Sequence, residues 1–238
     1  MASRQLLSVG EECFRVGPWH ADDRIAYLAL QPSVGEPSVE GLHGCLERLA
    51  EVGYSSVITS ALHPTEARAF IDAGFTEYDR LRVLAHDLHH VPVTRSLEQG
   101  MRLRRAHRRD REASLVVDGR AFPAFWRLDR SAMAEAEHAT PVTRFRVATC
   151  RGQVVGYAIT GRGSGQGFLQ RLAIDPDSAG RGVGSALVLD SLRWAVRRRC
   201  RRVLVNTQQE NRRALDLYGR LGFQETPTHL VVLHRPVP

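Results

Sequence analysis

Lysine is missing from this chain altogether. All 33 basic residues are arginine, against 26 acidic ones, for a formal charge of +7. A glycine-rich loop here therefore cannot be a P-loop, which needs its lysine on the phosphates. Cysteine is scarce: Cys13, Cys45, Cys150 and Cys200 form no Cys-x-x-Cys pair, which argues against a zinc site and against a disulfide framework. A reducing, cytoplasmic setting is expected. No apolar run approaches the ~18 residues of a membrane span, and the first residues carry no long apolar stretch of the signal-peptide kind. The histidines show no ligand spacing, and His89-His90 reads as a solvent-facing linker rather than a metal site.

What is present is ample for a folded α/β protein. Of the 238 residues, 43% are hydrophobic, enough for one large or two small cores. The basic excess favours polyanionic ligands without choosing among nucleic acid, anionic lipid and a phosphate-rich cofactor. Six arginines crowd between Arg102 and Arg111, yet no aromatic residues interleave them, so stacking on single-stranded nucleic acid is not expected.

In chain order, Cys13–Val16 and Arg24–Leu30 read as weak strands before a turn-rich piece with Pro32, Gly35 and Pro37. Leu42, Leu46 and Leu49 recur at helical spacing, which predicts a helix over Val39–Val52 capped by Gly53. A strand over Ser55–Thr59, a helix opening at Pro64 and closing at Gly74, and a strand from Phe75 to Asp87 follow. The same order returns 148 residues later. Val57 matches Val205, Thr59 matches Thr207, Phe70 stands where Tyr218 stands, and Gly74-Phe75 faces Gly222-Phe223.

Between the copies, Val91–Thr94 reads as a linker and Met101–Arg105 as a strand. Arg108–Phe122 and Pro123–Ala139 look helical, and Phe145–Thr149 with Val154–Thr160 form a hairpin about Gly152-Gln153. Then comes the most informative stretch. Leu172-Ala173-Ile174 ends at Asp175-Pro176, and Gly180, Gly182 and Gly184 alternate before a helical pattern begins. A strand, a glycine turn and a helix start leave unpaired N–H groups at the positive end of the helix dipole, where an anion such as phosphate is held. Arg181 adds a charge of the right sign. The acidic residue that a dinucleotide fold would place ~20 positions on is replaced by an arginine run.

Two motifs in this order make residues 95 to 238 resemble the GNAT superfamily of acetyl-coenzyme-A-dependent N-acetyltransferases. One is Leu172-Ala173-Ile174-Asp175-Pro176 with Ala179-Gly180-Arg181-Gly182-Val183-Gly184-Ser185. The other is Asn211 to Tyr218 with Leu221-Gly222-Phe223. The resemblance implies a mixed central sheet flanked by helices and acetyl-coenzyme A as acyl donor. It implies that the main chain of Leu172 and Ile174 pairs with the pantetheine arm, that the amides from Gly180 to Ser185 hold the diphosphate, and that Asn211 binds the pantetheine or fixes the cleft wall. Tyr218 would be the acid that protonates the leaving thiolate. The family's opening Arg or Gln is Ala179 here, and amides occupy two places where a carboxylate base is common, Asn206 and Gln170. Asp129, Glu135, Glu137, His138, a water chain or an amine already deprotonated on arrival remain open as the route for the amine's proton.

Residues 1–92 are accordingly expected to be a truncated, cofactor-free GNAT-like half-domain, and 93–238 the catalytic domain. The half-domain would pair with the catalytic one, wall the acceptor cleft or mediate a homodimer. The expected reaction is direct attack of a primary amine, from a protein or a small molecule, on acetyl-coenzyme A. A non-catalytic acyl-coenzyme-A sensor or nucleic-acid-binding regulator is the rival.

Overall fold

The computed structural model describes residues 4–20, 22–30, 36–93 and 97–237. Its elements run β1 (Gln5–Val9), β2 (Glu12–Trp19), β3 (Asp22–Leu30), α1 (Val39–Val52), β4 (Ser56–Thr59), α2 (Pro64–Asp72) and β5 (Thr76–His86). They continue with β6 (Met101–Arg105), α3 (Asp110–Ala121), α4 (Arg130–His138), β7 (Val142–Cys150), β8 (Gln153–Gly163), β9 (Gln166–Ile174), α5 (Val183–Arg197), β10 (Val203–Gln208), α6 (Arg212–Arg220) and β11 (Gln224–Pro236). The chain divides into two compact units. One takes the residues up to Arg82 and those from Pro227 onward, the other Val83–Thr226. The sequence suggests a single boundary near residue 92, whereas the end of β11 returns to the first unit.

In the first unit β1, β2 and β3 form an antiparallel meander, and β3 runs parallel to β4 from Ile25/Ser56 to Leu28/Thr59. The far side of β4 pairs with the tail of β11, His234 opposite Ile58 and Pro236 opposite Ser56. Helix α1 forms because Leu42, Cys45, Leu46 and Leu49 make one apolar stripe, and all four are buried against Phe14, Leu28, Val57 and Phe70. Its ends are well defined. The Ser38 side chain accepts from Gly41 N–H, and Gly53 closes the helix in the left-handed region at φ 100°.

In the second unit β6, β7, β8 and β9 are antiparallel neighbours, and β10 joins β9 in parallel. The β7–β8 hairpin turns on Arg151 and Gly152, both at positive φ, one residue earlier than the sequence suggests. Val183, Leu187, Val188 and Leu192 of α5 pack on Leu169, Val203 and Tyr218 to form the main core of this unit. A smaller core on the other face of the sheet joins Val117 and Met133 to Tyr157, Ile159 and Ala173. Helix α4 begins only at Arg130, because Pro123 opens a short 3₁₀ turn over Ala124–Trp126 instead of a helix.

The internal repeat is visible in backbone detail. Helices α2 and α6 have the same bounds at a separation of 148 residues, and β5 and β11 start at the same offset. Phe75 N–H donates to the Phe70 carbonyl and Phe223 N–H to the Tyr218 carbonyl, each at 3.0 Å. Gly74 and Gly222 both occupy the left-handed region, at φ 85° and 92°.

Candidate active site

The segment from β9 to α5 is held at its base by carboxylates. Asp175 Oδ1 accepts from Asp177 N–H at 2.9 Å, and its Oδ2 accepts from the Arg120 guanidinium of α3 at 2.7 Å. Arg120 also reaches Asp177 at 2.8 Å, so the loop is pinned to α3 from one side. Beyond Ala179, Gly180 and Gly182 take φ values of 76° and 78°, a region that residues with a Cβ rarely enter. Gly184 answers a different need, since a Cβ there would lie 3.3 Å from Leu217 Cδ2.

This backbone path leaves a row of donors. Among the described residues, none of the N–H groups from Gly180 to Ser185 has a protein acceptor. The first that does is Ala186, which donates to the Gly182 carbonyl at 3.0 Å. Gly182 is the N-cap of α5 and, lacking a side chain, caps nothing. The positive end of a 15-residue helix is thus presented without an internal counter-charge. Arg181 beside it is tied to Glu98 at 2.8 Å.

Next to the loop the sheet opens. Strands β9 and β10 are in register only at Gly167/Val203 and Phe168/Leu204, although β9 continues six residues further, to Ile174. Asp175 N–H donates to the Val155 carbonyl, which fixes the alternation. Arg171 and Ala173 turn their main-chain groups toward β8, while those of Leu172 and Ile174 point to the side that β10 has left. Ala173, grouped by the sequence with the cofactor-binding residues, has instead its main chain on β8 and its side chain buried beside Val117 and Met133. Leu172 and Ile174 keep free edges, as an added strand would need. A bulge at Gln170, between the pairs Ile159/Arg171 and Thr160/Leu169, bends β9 at this point. The Gln170 Nε2 donates to Thr140 Oγ1 at 3.4 Å, and its Oε1 is buried without a partner among the described residues.

Helix α6 carries the second set of residues. Asn211 is its N-cap, with Oδ1 accepting from Ala214 N–H at 3.1 Å. About two turns later Tyr218 is buried, its ring 5.4 Å from that of Phe223. Its hydroxyl makes no hydrogen bond to the described residues. Burial pushes the Tyr218 hydroxyl above its ordinary range, and the positive charge of Arg171 opposes part of that rise.

Arg171 belongs to a network not foreseen from the sequence. Its guanidinium forms a two-pronged pair with Asp118, both contacts at 2.8 Å, donates to the Trp126 carbonyl at 2.7 Å, and lies 3.5 Å from the centre of the Phe122 ring. Asp118, fully buried on α3, also accepts from the Tyr157 hydroxyl at 2.5 Å and from Leu128 N–H at 2.8 Å. Every acceptor position of this carboxylate is filled, as burial of a charge demands. Desolvation, then the charge of Asp118, raises the Tyr157 hydroxyl well above its ordinary range. The signal for it was an arginine in the middle of the apolar strand Phe168–Ile174 and an aspartate closing Leu115-Val116-Val117.

The base candidates lie elsewhere. Asp129 caps α4 through Ala132 N–H, Glu137 pairs with Arg111 at 2.5 Å, and the His138 Nδ1–H donates to the Ala134 carbonyl at 2.6 Å. Glu135, on the same helix, is half-buried and already engaged. Asn206 is exposed on β10. Burial pushes the Cys45 thiol up to about 12, so it is no nucleophile near neutral pH.

An unpaired amide row at a helix start, a parted pair of parallel strands and a buried tyrosine on the next helix form one arrangement. Residues 103–223 match the model of the acetyltransferase (GNAT) family. The chain belongs to the GNAT family. Over 186 residues it is 30% identical to a mycothiol acetyltransferase of Saccharomonospora viridis, an alignment that covers 70% of this chain and 60% of that protein. The chain thus spans about three fifths of that relative's length. Two solved structures share the fold. A GCN5-related N-acetyltransferase from Sphaerobacter thermophilus superposes with TM-score 0.65 at 20% identity, covering 94% of this chain and 76% of that one. A tandem GNAT protein from the clavulanic acid biosynthesis pathway superposes with TM-score 0.67 at 14% identity, covering 98% and 82%. The second GNAT-like half, expected over residues 1–92, therefore has a precedent in the fold of a tandem protein.

Proposed function

We propose that the second unit binds acetyl-coenzyme A and transfers its acetyl group to a primary amine by direct attack. The observation that carries this reading is the free amide row from Gly180 to Ser185 beside the open edge of β9. A row of fixed N–H dipoles at a helix start fits a diphosphate, and Leu172 and Ile174 offer the main-chain pairing that an amide-bearing arm would use. Bound acetyl-coenzyme A supplies the acyl thioester.

The chain's own groups then position and protonate. Gln170 and the Arg171–Asp118 pair fix the bulge of β9, so the acceptor and the thioester carbon meet on a rigid strand. As the carbon–nitrogen bond forms and the carbon–sulfur bond breaks, the Tyr218 hydroxyl, kept protonated beforehand by its burial, donates its proton to the leaving sulfur and regains one from water. The proton lost by the amine leaves through water, since Asp129 caps α4, Glu137 is paired with Arg111 and Glu135 is engaged. Acetylation by way of a cysteine is not part of this scheme.

The name of the Saccharomonospora relative favours a small-molecule amine over a protein N-terminus. Thiol release from acetyl-coenzyme A, followed across small amines, an N-terminal peptide and a lysine peptide, tests the reading. Turnover with an amine that disappears in Tyr218→Phe supports it. Tight coenzyme-A binding with no turnover on any acceptor would favour a sensor instead.

A further inference from the structure

The ladder between β6 and β7 stops short of the start of β7. Its last rung is the Ala106 N–H, which donates to the Phe145 carbonyl at 3.0 Å. Beyond that rung Asp110 turns the chain away, its carboxylate accepting from His107 N–H and from Arg104, each at 2.6 Å. Residues 142–145 therefore keep β8 on one side, from Val142/Arg162 to Phe145/Ile159, and no strand on the other. Main-chain groups alternate along a strand, so those of Thr143 point to the open side with those of Phe145. The Phe145 N–H and both main-chain groups of Thr143 have no main-chain partner there among the described residues.

A cavity of about 360 Å³ lies along this edge and is walled from both faces of the sheet. Phe145 and His138 stand on the α4 face. Arg144, which pairs with Asp190, and Arg198 stand on the α5 face, together with Arg105, the cross-strand neighbour of Arg146. A space that straddles a sheet edge takes an occupant lying in the plane of the sheet, as an added strand does. At ~3.3 Å per residue the uncovered stretch is roughly 13 Å long, the span of about four residues.

The lining also has a sign. Its one carboxylate, Glu137, is bound by Arg111 at 2.5 Å. Arg105 and Arg198 are exposed and have no carboxylate partner among the described residues. Both lie on the α5 face, to which an added strand would send every second side chain, so acidic residues are matched there.

We propose that the open edge of β7 docks an extended acidic peptide of a partner protein by strand addition. Main-chain pairing with Thr143 and Phe145 supplies the register, and Arg105 and Arg198 supply the preference for carboxylates. Strand β8 lies between this edge and β9, so the site is distinct from the acetyl-transfer site and independent of it. The arginine cluster noticed in the sequence thereby divides into structural members, Arg104 paired with Asp110 and Arg111 with Glu137, and a partner-facing one, Arg105.

The test is titration of the ¹⁵N-labelled full chain with an end-blocked hexapeptide of alternating glutamate and valine. Hydrogen exchange at the Thr143 and Phe145 amides is expected to slow at least about tenfold, with exchange from Gly180 to Ser185 unchanged. The same peptide N-methylated at its valines keeps its charges but loses the donors that would face Thr143. It should bind at least about tenfold more weakly. Arg105→Glu with Arg198→Glu should weaken the unmethylated peptide by a similar factor of about ten. Absence of binding, equal affinity for the methylated peptide, or unchanged exchange at both amides under saturation would overturn the proposal. So would protection of both amides by self-association of the free chain, which would give the edge to a second copy. None of these readouts depends on turnover or on coenzyme A.

Discussion

Each unit has a helix following a strand, and the starts of the two helices, α5 and α1, are satisfied in opposite ways. At α5 the turn is built from Gly180 and Gly182, no side chain caps the helix, and the amides stay free. At α1 the Ser38 hydroxyl accepts from Gly41 N–H, and the Glu12 carboxylate accepts from Ser38 N–H at 2.9 Å. That carboxylate sits so close over the first turn that a Cβ at Gly41 would collide with it. Unit one therefore supplies its own anion to the helix dipole, and unit two leaves the place for a ligand. A second divergence appears two elements later, where Phe70 stands in for Tyr218 in a helix of matching bounds. The two copies share the bounds of α2 and α6 and differ at the helix start and at the position of Phe70 and Tyr218.

The comparison can be sharpened first at the buried network that stabilises unit two. Asp118→Asn leaves Arg171 buried without its counter-charge and should cost about 3–5 kcal/mol, read as a large loss in the midpoint of urea unfolding. An unchanged midpoint would show that the pair contributes nothing to the rigidity of β9. Next in size, Gly182→Val forces a β-branched residue to a positive φ and should weaken coenzyme-A binding about 100-fold or more by calorimetry. Wild-type affinity in that variant would mean that the turn does not hold the ligand.

At the second point of divergence, Tyr218→Phe is expected to lower kcat at least about 100-fold with coenzyme-A affinity preserved, and Phe70→Tyr to leave both unchanged. The raised Tyr218 hydroxyl also has a pH signature. A group whose folded pKa lies above its ordinary value of 10.0 keeps its proton as the pH rises, so kcat should not fall between pH 7 and about pH 10. A fall with an apparent pKa near 9 would point to another acid. The smallest effect belongs to unit one. Glu12→Ala removes the acceptor over α1 and should cost about 1 kcal/mol of stability without altering coenzyme-A affinity.

Much of this arrangement could be read from the residues. The Leu42–Leu46–Leu49 stripe, with Ser38 before it and Gly53 after it, defines α1 to the residue, and the alternating glycines mark the free helix start. What stayed hidden depends on pairing across long separations. Nothing in the pattern of β11 says that His234–Pro236 lie against β4, because an alternating strand can add to either side of a sheet. Strand β1 went unseen because its burial is slight and its pattern short. The Asp118–Arg171 pair joins positions 53 residues apart, and a charge inside an apolar run shows only that a partner exists, not which one. The parting of β9 from β10 is implied by the family resemblance at Leu172 and Ile174, whereas the bulge at Gln170 beside it has no local signature.

One measurement addresses the account at its root. Coenzyme A added to the uniformly ¹⁵N-labelled chain should shift the amide resonances of Gly180, Arg181, Gly182, Val183, Gly184 and Ser185 most strongly, at one ligand per chain, and leave those of Gly41 and Gly44 in place. If the large shifts fell instead on α1, or were absent from the 180–185 row at saturation, the assignment of that row as the diphosphate cradle would be contradicted.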